Sequence, residues 1–204
     1  MRGNAAEIFV GLDVPRHRIT PTARFRSTWL VASQNALRDC GFFDRYLELL
    51  PPAHREALMT PVVGMWLPND VVVAHYEACD RLGLTSAERD AIARALVRPG
   101  TSTLFSVTGH LARQVGVTPW TPLAYSRRLW DRLCEGGAVV VYKEGPKEVR
   151  VELLGLTLAH IPYFRLTLRE LALSVGKLFC STLYVKEIYD EAQPNTLVFR
   201  GSWV

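Results

Sequence analysis

The chain predicts an α+β fold, with an N-terminal helical half packed on a C-terminal antiparallel sheet of ββαββ arrangement. Three observations carry this. Val149, Val151 and Leu153 alternate with Glu148, Arg150 and Glu152, the period of a strand with one buried and one wetted face. Ahead of that strand, segment after segment repeats apolar residues at helical spacing. After it, Phe164, Leu168, Leu171 and Val175 stand at i, i+4, i+7 and i+11, a single stripe suited to covering a sheet face.

Composition bounds the class. The 204 residues are 49% hydrophobic and 22% charged, ordinary for a globular chain with a full core. No apolar run approaches the ~18 residues that cross a bilayer. The start, Met1-Arg2-Gly3-Asn4-Ala5-Ala6-Glu7, lacks the apolar stretch of a signal peptide. The expected compartment is the cytoplasm, with no membrane partner. A net charge of +4 and a pI near 9.0 invite a polyanion partner. Lysine occurs only at 143, 147, 177 and 186, however, and the arginines are scattered among acids, so nucleic acid is not the expected partner. Cys40, Cys79, Cys134 and Cys180 contain no CxxC pair; they read as buried thiols in a reducing compartment.

In order along the chain, residues 1–21 form an N-terminal arm. Glu7 to Leu12 is strand-like but is followed by Pro15 and Pro21, so it is either an edge strand or an arm that packs on a partner. Residues 24–27 suggest a short extended piece. Residues 22–136 are mainly helical. Trp29, Ala32, Ala36 and Leu37 mark a first helix that stops at Gly41, and 42–50 forms a second before Pro51-Pro52. Residues 61–67 read as extended. Asn69 or Asp70 caps the next helix, with Val72, Val73, Tyr76 and Cys79 on it and Gly83 at its end. Thr85-Ser86-Ala87-Glu88 is a capping box opening a helix with Ile92, Leu96 and Val97 that stops at Pro99-Gly100. Thr101 or Ser102 begins another, carrying Leu104, Phe105, Leu111 and Val115. A last helix starts at Thr118-Pro119, buries Leu123, Leu129, Trp130 and Leu133, and ends at Gly136-Gly137.

Residues 137–204 form the ββαββ unit: strands at 138–143 and 148–154 across a Gly145-Pro146 turn, a helix at 162–176, and strands at 182–189 and 196–204. Val139-Val140-Val141 is apolar on both faces and predicts an interior strand. Leu197, Phe199 and Trp203 share one side of the last strand, opposite Val198, Arg200 and Ser202. With no linker between the halves, the chain reads as a single α+β domain over 1–204.

Chemical signatures are sparse. His75 and Cys79, four apart on one helix, have the spacing of a metal-binding pair, but nothing completes a four-ligand set; they read as a helix-surface histidine and a buried thiol. Arg127, Arg128 and Arg132 around Trp130 form either an anion site or, more plainly, a solvated helix face. No G-x-S-x-G, Walker, H-E-x-x-H or dinucleotide-binding motif occurs, so recognition rather than catalysis is expected.

Trp66-Leu67-Pro68 ahead of a helix, Arg128-Leu129-Trp130 ahead of the hairpin, and the ending Phe199-Arg200-Gly201-Ser202-Trp203 resemble a family of roughly 200-residue proteins of uncharacterised chemistry, abundant in myxobacteria. The ββαββ ending is similar to vinyl-4-reductase-type domains, which implies dimerisation and an apolar ligand beside the sheet. His110, in a helix of small and apolar residues, and Tyr125-Ser126-Arg127-Arg128 downstream resemble haem nitric-oxide/oxygen sensor domains. That resemblance implies a helix histidine on haem iron and a Tyr-x-Ser-x-Arg motif on the propionates, although Tyr125 and Ser126 are adjacent here.

The expected function is a non-enzymatic small-molecule-binding or sensory and regulatory module, with an apolar pocket between sheet and helices. Its expected lining is Tyr125, Arg128, Leu129, Phe164, Leu168, Phe179 and Tyr184, with a small apolar ligand and a homodimeric state. No cofactor and no metal are expected, and haem through His110 is the alternative. A protein-interaction or assembly module, working through dimerisation and the N-terminal arm, is the other functional reading.

Overall fold

The computed structural model describes residues 6–59, 62–96 and 118–204. The helix expected from Thr101 or Ser102 to Gly116, its His110, and the Pro99-Gly100 stop lie outside the described residues. The larger sheet is antiparallel and five-stranded, in the order β1-β5-β6-β8-β7, with β1 at Glu7–Val10, β5 at Ala138–Gly145, β6 at Glu148–Leu154, β7 at Leu183–Tyr189 and β8 at Thr196–Trp203. The ββαββ unit thus supplies four strands, and Glu7–Val10 adds a fifth at the edge, with Glu7 opposite Lys143 and Ile8 opposite Tyr142. The valine run is interior, as its two apolar faces require. Leu197, Phe199 and Trp203 are buried on one side of β8, with Arg200 exposed on the other.

Glu152 departs from the expected alternation. It belongs to the outer face but is only 6% exposed. Arg16, from a 3-10 turn at Arg16–Arg18, reaches back to it at 2.9 Å, and Arg150 pairs with it from the same strand. Two guanidinium groups offset the desolvation of one carboxylate.

A second, three-stranded sheet was not foreseen. It orders β3 (Trp66–Pro68), β2 (Arg24–Arg26) and β4 (Cys134–Glu135) side by side. β2 runs directly into helix α1 (Ser27–Asp39), and β3 into α4 (Asn69–Asp80). β4 leaves α7 (Ser126–Leu133) directly. Three helix ends are therefore pinned by backbone hydrogen bonds at one point, and the helical half meets the sheet there. Two remaining helices of that half, α2 (Phe43–Leu49) and α3 (Pro52–Met59), pack on α1 and α4, and α5 (Ser86–Leu96) lies against α1.

The local signals in the sequence hold at several ends. At α5 the Thr85 backbone N–H donates to Glu88 Oε2 at 2.7 Å, and the Glu88 N–H donates to Thr85 Oγ1 at 3.3 Å, which completes the capping box. Asn69 does not cap α4: the cap position is Pro68, and the Asn69 carboxamide accepts a hydrogen bond from Thr157 instead. The last helix of this half breaks into α6 (Trp120–Ala124) and α7, with Tyr125 between them. Leu129, expected inside, is 38% exposed.

Helix α8 (Pro162–Gly176) crosses between the halves, packing on α4, α5 and β7. Its N-terminus is capped from another helix, since Asp80 Oδ1 accepts the Tyr163 N–H at 3.0 Å. Its buried residues are Tyr163, Phe164 and Thr167, all near the start; Leu168, Leu171 and Val175 are half-buried. Phe164 stacks on Trp29 at 5.9 Å and meets Tyr76 edge-on at 4.9 Å. With Leu30, Leu37, Leu58, Ile92 and Leu197, all essentially unexposed, it forms the centre of the core. No helix among the described residues is long and apolar enough to cross a membrane.

Candidate functional site

Two features bear on function: a recess at the sheet edge and a polar thread through the core. The recess, about 520 Å³, is lined by Phe9 of β1, Trp120, Thr121 and Ala124 of α6, then Tyr125 and Arg128. Its aromatic wall is fixed from several directions. Trp120 Nε1 donates to the Pro146 carbonyl in the β5–β6 turn at 2.9 Å. The Trp120 ring packs on Phe9 and, edge-on, on Trp203, each at 5.0 Å between centroids. Two cations stand over these rings, Lys143 Nζ 5.6 Å from the Trp120 centroid and the Arg128 guanidinium 5.7 Å from that of Tyr125. Arg127, next along α7, turns away to pair with Asp13.

The polar thread joins α1, α2, α3, α4 and α8. Gln34 Nε2 donates to the Leu58 carbonyl at 2.7 Å and more weakly to the Tyr46 hydroxyl at 3.4 Å. The Tyr46 hydroxyl lies 2.7 Å from His75 Nδ1, and His75 Nε2 lies 3.7 Å from Cys79 Sγ. The Ser33 and Tyr163 hydroxyls also stand by the Cys79 thiol, although neither reaches full hydrogen-bond geometry. Burial governs the protonation of the whole thread. It lowers the His75 pKa to about 3 and pushes the Tyr46 phenol and the Cys79 thiol well above their usual values. The expected surface histidine is thus a fully buried neutral imidazole. One turn of helix puts His75 and Cys79 on the same side of α4, and that side faces Tyr46 and Tyr163 rather than water.

The seven residues expected to line one pocket do not meet. Tyr125 and Arg128 line the recess, with Leu129 one helical turn on from Tyr125. Phe164 is at the centre of the core, and Leu168 and Phe179 are half-buried on and just after α8. Tyr184 is 65% exposed and paired with Ser202, on the sheet face opposite Trp203. Phe9 and Trp120 were missed. The strand-like run at 7–12 and the Thr118-Pro119 helix start were visible, but their convergence depends on pairing across more than a hundred residues.

No family model matches the sequence, and no curated protein does. Solved structures do resemble its fold. One is a haem protein in which protein-induced porphyrin distortion modulates redox potential: 12% identity, TM-score 0.52, covering 87% of this chain and 99% of that one. Another belongs to the H-NOX family, in work on haem distortion: 12% identity, TM-score 0.54, covering 87% and 94%. A point variant of Tt H-NOX gives 13% identity, a TM-score of 0.51 and the same coverage as the second. The α+β architecture is therefore similar in fold to H-NOX domains. The expectation of a module without a cofactor is corrected by these likenesses, because the solved proteins that share its architecture are haem proteins.

His75 is not available to a haem iron. His75 is enclosed in the core with a protein partner at each ring nitrogen, and Cys79 beside it is a buried thiol. His17, His54 and His160 are not part of the core. Of the described histidines, the one in the core is thus occupied at both ring nitrogens, and His110 lies outside the described residues.

Proposed function

We propose that the chain is a small-molecule-sensing module whose ligand is held where the helical half meets the sheet. The observation that supports this is the extent of the fold likeness: it spans 87% of this chain and 94–99% of the H-NOX and related haem structures, so both halves are included. Haem is the ligand those structures put forward. His110, in a segment preceding the sheet as the sensor-domain resemblance implies, is the residue this reading assigns to it.

The test is native mass spectrometry and visible absorption of the full chain, as purified and after titration with haemin. The reading expects a co-purified small molecule, or a stoichiometric Soret shift with haemin that is lost in His110→Ala. A bare polypeptide mass with no Soret shift would overturn it. A shift that survives His110→Ala would overturn the assignment of His110.

A further inference from the structure

The recess beside β1 has a chemistry of its own, independent of the sensing reading and of His110. Three of its six lining residues are aromatic, Phe9, Trp120 and Tyr125, and the Trp120 ring is fixed in place. Trp120 is held by the hydrogen bond to the Pro146 carbonyl and by tilted and edge-on contacts with Phe9 and Trp203. Rigid aromatic surface lowers the entropy lost on binding. Tyr125, at the break between α6 and α7, is 55% exposed.

The charge is equally specific. Arg128 and Lys143 make ring contacts but no ion pair among the described residues. Their neighbours Arg127, Arg150 and Arg16 are all engaged by carboxylates. Glu7 lies opposite Lys143 in the β1–β5 register yet forms no ion pair with it. Arg128 thus lines a recess that Phe9, Trp120 and Tyr125 also line, Lys143 stands over the Trp120 ring beside it, and the recess volume lies in the range of small-molecule sites, roughly 300–1,000 Å³.

We propose that this recess is a binding site for a planar aromatic carboxylate, its ring stacking on the Trp120–Tyr125 wall and its carboxylate received by Arg128 and Lys143. An aliphatic anion would leave the ring faces wet. A neutral arene would leave the cations uncompensated. Only a ligand with both properties uses the whole site, with the guanidinium fork of Arg128 matched to carboxylate geometry.

The experiment is calorimetric titration of the full chain with 1-naphthoate, 1-naphthamide and cyclohexanecarboxylate, with tryptophan fluorescence as a second readout. Naphthoate is expected to bind one-to-one, about tenfold or more tighter than either analogue, the loss that goes with one charge-assisted contact or one stacked ring. Arg128→Gln and Lys143→Gln should each weaken naphthoate about tenfold, while a remote Lys177→Gln should not. All three replace surface charges, and unchanged melting confirms that the fold is kept. Absence of naphthoate binding at millimolar concentration, equal binding of the neutral amide, or naphthoate affinity unmoved by Arg128→Gln and Lys143→Gln would each overturn the proposal.

Discussion

The hydroxyl of Tyr46 lies 2.7 Å from Nδ1 of His75, and both side chains are 0% exposed. Each is the other's main polar partner in a place where solvent cannot substitute. Tyr46→Phe should therefore lower stability by about 1–3 kcal/mol, the cost of a dry, unsatisfied ring nitrogen. Urea unfolding measures it. The Tyr46→Phe/His75→Leu double variant should lose less than the sum of the two single variants. An unchanged midpoint for Tyr46→Phe would show that the contact contributes nothing.

Acid should find the same residue. Burial holds the His75 pKa at about 3 in the fold, against about 6.5 in an unfolded chain. A lowered folded-state value means that the unfolded chain takes up a proton the fold refuses. The stability contributed by a neutral His75 is complete above about pH 6.5 and falls by about 1.4 kcal/mol per unit on the way down towards about pH 3. The stability difference between the natural chain and His75→Gln should accordingly shrink between about pH 7 and about pH 5. A difference that stays constant would mean that His75 protonates within the fold.

Burial pushes the Cys79 thiol far up and the Cys134 thiol to about 12. Alkylation proceeds through the thiolate, so iodoacetamide at neutral pH should leave both unmodified in the native chain and label both in guanidinium. Peptide mapping separates the sites. Rapid native labelling of Cys79 would contradict the packing around it.

At the turn into β5, Gly137 has φ +66°, and an added Cβ would stand 2.8 Å from both Thr22 and Trp130 and 2.9 Å from the Leu154 carbonyl. Gly83, at φ +62°, has nothing within 4 Å. Gly83→Ala should cost only the ~1–2 kcal/mol of the left-handed backbone. Gly137→Ala should cost clearly more, read as a larger drop in thermal midpoint. Equal drops would mean that the neighbours of Gly137 yield without strain.

Much of this fold is legible in the chain because its signals are local. The Thr85–Glu88 capping box, the strand at 148–154 and the helix at 162–176 each declare themselves within a few residues, and each is present. What escaped was settled at a distance. Nothing near Glu7 announces that Lys143 will lie opposite, and nothing near Arg24 announces Pro68 and Glu135. The burial of His75 depends on Tyr46 and Gln34 arriving from other helices. The expected pocket lining suffered in the same way. Apolar and aromatic character marks core and site alike, and here Phe164 lies in the core and Tyr184 on the outer sheet face.

The edge position of β1 has a kinetic consequence. During synthesis Glu7–Val10 leaves the ribosome long before Ala138–Gly145 exists, so the segment must wait unpaired for more than a hundred residues before its ladder can close. Closing a loop of that span late in folding favours a slow final step. Stopped-flow refolding should show the tryptophan signal from the Phe9–Trp120–Trp203 cluster trailing the formation of helix.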